Sequence, residues 1–348
     1  MDLDARPRST RAVVYYDADD LRLEEVPLPS LGEGELLVRI RACGLCPGEA
    51  MGWYMRKKAP LVPGHEPVAD VVAAGARVEG FRPGTRVFVH HHAPCMRCRA
   101  CRRGDHVQCA TWRPRRLLPG ALAEFAVVQA PAVQADTLAV PPDMNDEVAT
   151  FVEPLACVVK SLRRAGLRAG DRVLVLGLGV MGLLHLLLAR RWGAETVIGV
   201  DRVTSRLARA QALGADAVVD VDRVWPPDAV RAATGGDGAD IVVVGPGSVE
   251  AIQLGMECVA PGGTLVLFTP TPPEVAWPVN VHDMYFKEVR VVPSYSAGPV
   301  ETREALDLLA GGLPVASLVT HRFSLQQVSE GYRLVAEAKE ALKVVIVP

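Results

Sequence analysis

The sequence predicts an α/β chain in two parts, a barrel-like antiparallel domain and a six-stranded, doubly wound parallel domain, and three observations carry that prediction. Residues 11 to about 130 hold short apolar runs, RAVVYY, ELLVRIRA, PVADVVAAG, RVFVHH and AEFAVVQ, separated by Gly and Pro turns, the texture of antiparallel strands. From Asp171 onward six apolar runs, RVLVLG, TVIGV, AVVDV, DIVVVG, GTLVLF and EVRVV, alternate with segments of helical periodicity. That alternation implies a parallel sheet covered on both faces. A length of 348 residues is also too great for one small core and suits about two domains.

Taken in order, the first domain runs over 1–155 and closes at NDEVATFVEPLACVVKSLRRAG. There Asn145 predicts a helix N-cap, acidic residues occupy the first turn, basic residues come late, and Gly166 follows the end. The parallel domain is expected over 156–292. Over 293–348 the chain returns to the first domain through two helices, TREALDLLAGG and QQVSEGYRLVAEAK, and a last strand, KVVIV. There is no internal repeat and no low-complexity tract.

A hydrophobic content of 49% and a charged content of 22% are globular values. A net charge of -2 and a pI near 6.5 offer no field for phosphate backbones or anionic lipids. No nucleic-acid or membrane partner is therefore expected, and a small-molecule substrate is. MDLDARPRST has no apolar signal region. The longest apolar run, Val173 to Ala189, contains three glycines and a histidine and falls short of the roughly 20 residues of a membrane span. The expectation is a cytoplasmic protein, in which clustered cysteines point to metal rather than to disulfides.

VLVLGLGVMGLLHLLLARRWGAETVIGVD sets Gly177, Gly179 and Gly182 at GxGxxG spacing between a strand and a helix. Such a turn lets the backbone approach a pyrophosphate and aims a helix N-terminus, from Val180 and Met181, at its charge. Asp201 follows Gly182 by 19 residues, where a carboxylate accepts ribose hydroxyls and repels a 2′-phosphate. NAD is expected over NADP, although Arg202 next in line is the residue type that accommodates the phosphate. CMRCRACRRGDHVQC places Cys95, Cys98, Cys101 and Cys109 as CxxCxxCx7C over 95–109. Four thiolates make the closed tetrahedral shell of a structural zinc, with no position left for substrate. Chemistry must then lie elsewhere. A lone Cys46 would ordinarily pack as a small hydrophobe, but PGHEP brings His65 and Glu66 and FVEPLAC brings Glu153, together the donors of an open zinc site.

With these motifs in order, the chain resembles the zinc-dependent medium-chain dehydrogenases, in their sorbitol (L-iditol) 2-dehydrogenase and threonine dehydrogenase branch. The resemblance implies a GroES-like catalytic domain, a Rossmann NAD domain, and two zinc ions per chain, one catalytic and one structural. Cys46 and His65 would hold the catalytic zinc, joined by Glu66 or Glu153. The implied reaction interconverts a secondary alcohol and a ketone on a polyol, cyclitol or sugar-derived substrate, in a homodimer or homotetramer.

This chain departs from the family pattern after the metal cysteine. Pro47, Gly48 and Glu49 stand where the family has Gly or His, then Ser or Thr, then Asp, so the hydroxyl that relays the alcohol proton is missing; Met51 stands near where a His is often found. General acid–base candidates are Glu49, Glu66, Glu153 and His92. His92 lies three residues before Cys95, where threonine-dehydrogenase-like relatives carry a His facing the active site. Trp53, Tyr54, Tyr285 and Phe286 are candidate pocket walls. Cys43, Cys157 and Cys258 fit no ligand pattern and are expected to be buried small residues. Alternative readings are an L-threonine 3-dehydrogenase-like or amino-alcohol or aminocyclitol dehydrogenase, and a non-catalytic NAD- and zinc-binding sensor.

Overall fold

The structure, a computed structural model, describes residues 6–348; the first five residues, within the stretch read above for an export signal, lie outside it. The chain forms two compact units, one ending at Ala156 and resuming at Ala297–Pro348, the other Cys157–Ser296.

In the first unit, β1 (Ser9–Asp17) and β2 (Asp20–Pro27) form a hairpin. The main sheet uses β3 (Leu36–Gly44), β4 (Glu66–Ala74), β5 (Arg86–Val89), β6 (Leu117–Leu118), β7 (Phe125–Val128) and β8 (Thr137–Ala139). The second unit contributes β9 (Arg172–Leu176), β10 (Thr196–Asp201), β11 (Ala217–Asp220), β12 (Ala239–Val244), β13 (Val259–Leu267) and β14 (Arg290–Pro293). Back in the first unit, β15 (Val319–Phe323) and β16 (Lys343–Ile346) complete the main sheet.

That sheet is ordered β15-β16-β3-β4-β5-β8, with β7 on β3 and β6 on β7. Its pairs are antiparallel except β15 with β16. Alternate residues of β3, such as Leu36, Val38 and Ile40, enter a core that also takes Leu325, Val328, Tyr332, Val344 and Ile346 from the end of the chain. Burial of this kind contributes about 25 cal/mol per Å² of apolar surface. The returning segment is thus part of the first unit's core.

The second unit is the parallel sheet β11-β10-β9-β12-β13-β14, in which all six apolar runs appear. This order reverses direction beside the first strand, where doubly wound sheets bind ligands at their carboxyl ends. Arg172 at the start of β9 makes a bidentate pair with Asp240 in β12, at 3.0 Å on each carboxylate oxygen, tying the two central strands at their entry.

The single helix expected from Asn145 is two helices, Asp146–Ala149 and Val152–Ala165. Asn145 does cap the first, accepting from the Glu147 N–H at 2.7 Å. Pro154 explains the break. It has no N–H to give to the Thr150 carbonyl four residues earlier and its ring would clash there, so a helix restarts with Pro154 in its first turn. The restart places Glu153 at a helix N-terminus, favourable for a carboxylate.

Candidate active site

β3 runs to Gly44, and Cys46 follows as the N-cap of a single 3₁₀ turn, Pro47–Ala50. The Gly48 N–H donates to Cys46 Sγ at 3.4 Å. β4 starts at Glu66 directly after His65 and pairs with β3 so that Glu66 stands opposite Gly44. One strand pair therefore delivers three of the expected ligands. A sulfur, a ring nitrogen and a carboxylate oxygen of Cys46, His65 and Glu66 all lie within 4.8 Å of one another.

Each donor is held from behind. His65 Nδ1 meets Glu49 Oε1 at 2.8 Å, which fixes the ring and leaves Nε2 available to a metal, the arrangement an outer carboxylate usually gives. Glu49 also accepts from the Gly64 N–H at 2.9 Å and the Tyr332 hydroxyl at 3.1 Å. Burial pushes its carboxyl up, but His65, Arg115 and these donors outweigh burial and bring it down to about 2. Glu66 is fully buried and its Oε2 is paired with the Lys343 ammonium. Burial drives its carboxyl up against the opposing charges of Lys343 and His65, with Glu153 adding to the rise. Burial likewise raises the Cys46 thiol, opposed by His65.

Glu153 is buried, and its charge acts on both Cys46 and Glu66. The region thus holds three buried carboxylates, Glu49, Glu66 and Glu153, and a thiol against Lys343, paired with Glu66, and His65, paired with Glu49, an excess of negative charge that a divalent cation would neutralise. The donor set of one thiolate, one imidazole and carboxylates is that of an open zinc site. Gly44 makes room for it: a Cβ there would land on the Glu66 carboxylate and the Lys343 ammonium. At Gly48 the opposite holds, because a Cβ would meet only Cys46 Sγ at an ordinary 3.4 Å. No steric demand excludes a serine there.

Glu49, read from sequence as an acid–base candidate, has its oxygens taken up by Gly64, His65 and Tyr332, an arrangement suited to positioning His65. Of the three histidines before Cys95, His91 is the one whose ring packs on His65, with centroids 4.7 Å apart. Burial, then the His92 charge, holds it well below the ordinary histidine range and therefore neutral. His92 stacks on His91 at 3.9 Å and on Trp112 at 5.3 Å, and burial brings it down to about 3. His90 is fully buried against Asp136 at 2.9 Å. Trp53 and Tyr54 meet edge to face in the short helix Gly52–Met55 just past Cys46, whereas Tyr285 and Phe286 are 74% and 71% exposed. Cys43 and Cys258 are buried and pushed up to about 12; Cys157 is only half-buried.

The sequence reading missed Lys343, Tyr332 and Gly44. A lysine opening an otherwise apolar strand, KVVIV, was the one available signal.

Cys95, Cys98, Cys101 and Cys109 converge with all four sulfurs within 4.8 Å, close to the roughly 3.8 Å edge of a tetrahedron with 2.3 Å Zn–S bonds. Backbone N–H groups of Cys95 and Cys98 donate to the sulfurs of Cys109 and Cys95 at 3.3 and 3.4 Å. Burial pushes Cys109 up, but the Thr111 hydroxyl and backbone donors outweigh it and bring it down to about 6. Cys101 goes up to about 12 through burial and its neighbouring thiols. Four adjacent thiols cannot all ionise without a cation among them, which is the charge that a structural zinc brings.

In the second unit, Gly177 adopts φ +86°, a Cβ on Gly182 would strike the Gly177 carbonyl, and Gly179 caps the helix Val180–Arg191 without a side-chain partner. The open N–H groups of that helix, at Val180 and Met181, suit a pyrophosphate. Asp201 accepts from the backbone N–H groups of Leu178, Arg202 and Val203 at 2.6, 2.8 and 2.9 Å. Of about four acceptor positions on a carboxylate, one is left for a ribose hydroxyl. The Arg202 side chain is exposed and 3.9 Å from Asp222, while Arg206 reaches to 3.8 Å from Asp201.

Comparison with known proteins shows the family of the chain. Residues 32–142 match the alcohol dehydrogenase GroES-like domain and residues 180–311 the zinc-binding dehydrogenase model. The chain is 31% identical to erythritol/L-threitol dehydrogenase of Mycolicibacterium smegmatis over 98% of both chains. It is 32% identical to L-threonine 3-dehydrogenase of Chelativorans sp., over 94% of this chain and 95% of that one. A Sinorhizobium meliloti protein whose structure was determined bound to NADP superposes with a TM-score of 0.86 at 28% identity, over 98% of this chain and all of the other. Kinship with dehydrogenases sets aside the non-catalytic sensor. Read with the cysteine, imidazole and carboxylate geometry above, it identifies the chain as a member of the zinc-dependent medium-chain dehydrogenase family, an alcohol or polyol dehydrogenase.

Proposed function

We propose that this enzyme interconverts a secondary alcohol and a ketone on a polyol, cyclitol or sugar-derived substrate, with NAD as the hydride carrier. The convergence of Cys46, His65 and Glu66 behind Gly44 carries the reading. Cys46, His65 and a carboxylate of Glu66 or Glu153 would hold a zinc ion, whose Lewis acidity would make an alcohol oxygen more acidic in one direction and polarise a ketone in the other. Glu49 keeps His65 Nε2 aimed at that position, and Lys343 keeps Glu66 in place. Since three donors occupy Glu49, proton transfer at the reacting oxygen falls to Glu66 or Glu153, with Gly48 contributing no hydroxyl. Asp201, with its one open acceptor position, supports NAD over NADP. NADH formation over a panel of tetritols, hexitols, inositols and L-threonine, run with NAD and with NADP, tests this. A kcat/KM highest for threonine would replace it with the amino-alcohol reading that the threonine dehydrogenase relative supports.

The oligomer belongs to the same proposal. β14 is the open edge of the parallel sheet, and the helix Val281–Phe286 just before it exposes Val281, Tyr285 and Phe286. An apolar cluster at a sheet edge is a surface that a second copy would cover. No helix among the described residues is long and apolar enough to cross a membrane.

A further inference from the structure

Glu49 is held on both oxygens, from two distant parts of the chain. Oε1 takes the Gly64 N–H at 2.9 Å and meets His65 Nδ1 at 2.8 Å, both from the segment that leads into β4. Oε2 has one donor among the described residues, the Tyr332 hydroxyl at 3.1 Å, 283 residues further along the chain. The helix that carries it, Val328–Glu337, is fixed close to the metal-site turn: a Cβ on Gly331 would meet Leu45, the residue before Cys46, at 3.0 Å and Val344 at 3.3 Å. Tyr332 is 5% exposed and its ring belongs to the core with Leu325, Val328 and Val344. A close-packed ring carries its hydroxyl to one place. A carboxylate anchored at one oxygen can still pivot about its terminal torsion, which is broad and roughly two-fold. A donor on the other oxygen removes that freedom.

We propose that Tyr332 is a positioning residue of the metal site, whose hydroxyl fixes the plane of the Glu49 carboxylate and, through it, the direction of His65 Nε2. The inference rests on the metal reading of Cys46, His65 and Glu66 above and adds to it a residue from the end of the chain that is no ligand. With Lys343 on Glu66, the returning segment then supplies the hold on two carboxylates of the site. Without the hydroxyl, one oxygen of a buried carboxylate has no donor, which is costly. Glu49 then turns toward another donor, and His65 loses its alignment.

Cobalt(II) is the probe, because its absorption bands report a ligand geometry that d¹⁰ zinc does not show. Protein holding zinc in the four-cysteine lobe is titrated with cobalt(II) in wild type, Tyr332→Phe, Glu49→Gln, the double variant and Val328→Ala. Tyr332→Phe should bind cobalt at the Cys46 site at least about 10-fold more weakly, within the range for outer partners of metal ligands, with shifted bands and the lobe zinc retained. Glu49→Gln should lose as much or more, and adding Tyr332→Phe to it should cost little further, because the hydroxyl acts through the carboxylate. Val328→Ala removes packing from the same helix but no hydrogen bond from Glu49; it should lower Tm and leave cobalt affinity and bands as in wild type. Unchanged affinity and bands in Tyr332→Phe overturn the role of Tyr332 and leave the metal site standing. Losses that add in full in the double variant, or an equal loss in Val328→Ala, overturn it in favour of plain packing. A wild type that takes up no cobalt at the Cys46 site overturns the metal reading and this inference with it.

Discussion

Gly44 shows how much of the site depends on an absent side chain. A Gly44→Ala substitution puts a methyl group where Glu66 and Lys343 meet, and separating a buried pair leaves a stranded charge worth about 3–5 kcal/mol. The expected outcome is a fall in zinc content from two ions per chain to one and a lower Tm, with the four-cysteine ion retained; an unchanged metal content would count against Glu66 as part of the site. What was legible in the sequence at this scale was whatever is local. Cys95 to Cys109 are close in the chain, and His65 and Glu66 are adjacent. Lys343 was not legible, because it reaches Glu66 across 277 residues and nothing in KVVIV names its partner. Glu49 was legible as important but not in role, since the donors that withdraw it from proton transfer come from Gly64, His65 and Tyr332.

Two elements make separable predictions. In the Val180–Arg191 helix, His185 gives its Nδ1–H to the Met181 carbonyl at 2.7 Å and accepts from the Ser161 hydroxyl at 2.6 Å, which fixes it as neutral. Burial brings it down to about 4. Its unfolded value is near 6.5, so the stability tied to this group is fully present above pH 6.5 and is lost as pH falls toward 4. At about 1.4 kcal/mol per unit the loss is on the order of 3 kcal/mol. Urea midpoints at pH 7 and pH 4.5 for wild type and His185→Gln should differ less in the variant. The second element is the 95–109 lobe, whose sulfurs pack on the fully buried Trp112. Chelation should shift Trp emission to the red, an effect missing from Trp112→Phe, and Cys98→Ser should cost roughly 4 kcal/mol or more. Elements of the parallel sheet were readable because each strand and helix announces itself by periodicity. The break at Pro154 was readable in principle from one residue, whereas the pairing of β16 between β15 and β3 was not, because sheet order is set by contacts far apart in sequence.

At the scale of the molecule, the exposed Tyr285 and Phe286 beside β14 predict self-association. Wild type should sediment at twice the 37.3 kDa chain mass or more, and Phe286→Asp should shift it toward the single chain with both zinc ions kept; a wild-type monomer would end the proposal. The two-unit division also gives the protein a timetable. β16 lies inside the first unit's sheet, yet it is synthesised after the entire second unit. At roughly 5–20 residues per second, Glu66 leaves the ribosome about 15–55 s before Lys343. During that interval Cys46, His65 and Glu66 exist without the cation that later sits beneath them, and the sheet lacks one of its inner strands. Translation that stalls within β13 or β14 therefore leaves an unfinished metal site on a nascent chain, and the capacity to react arrives only with the final strand.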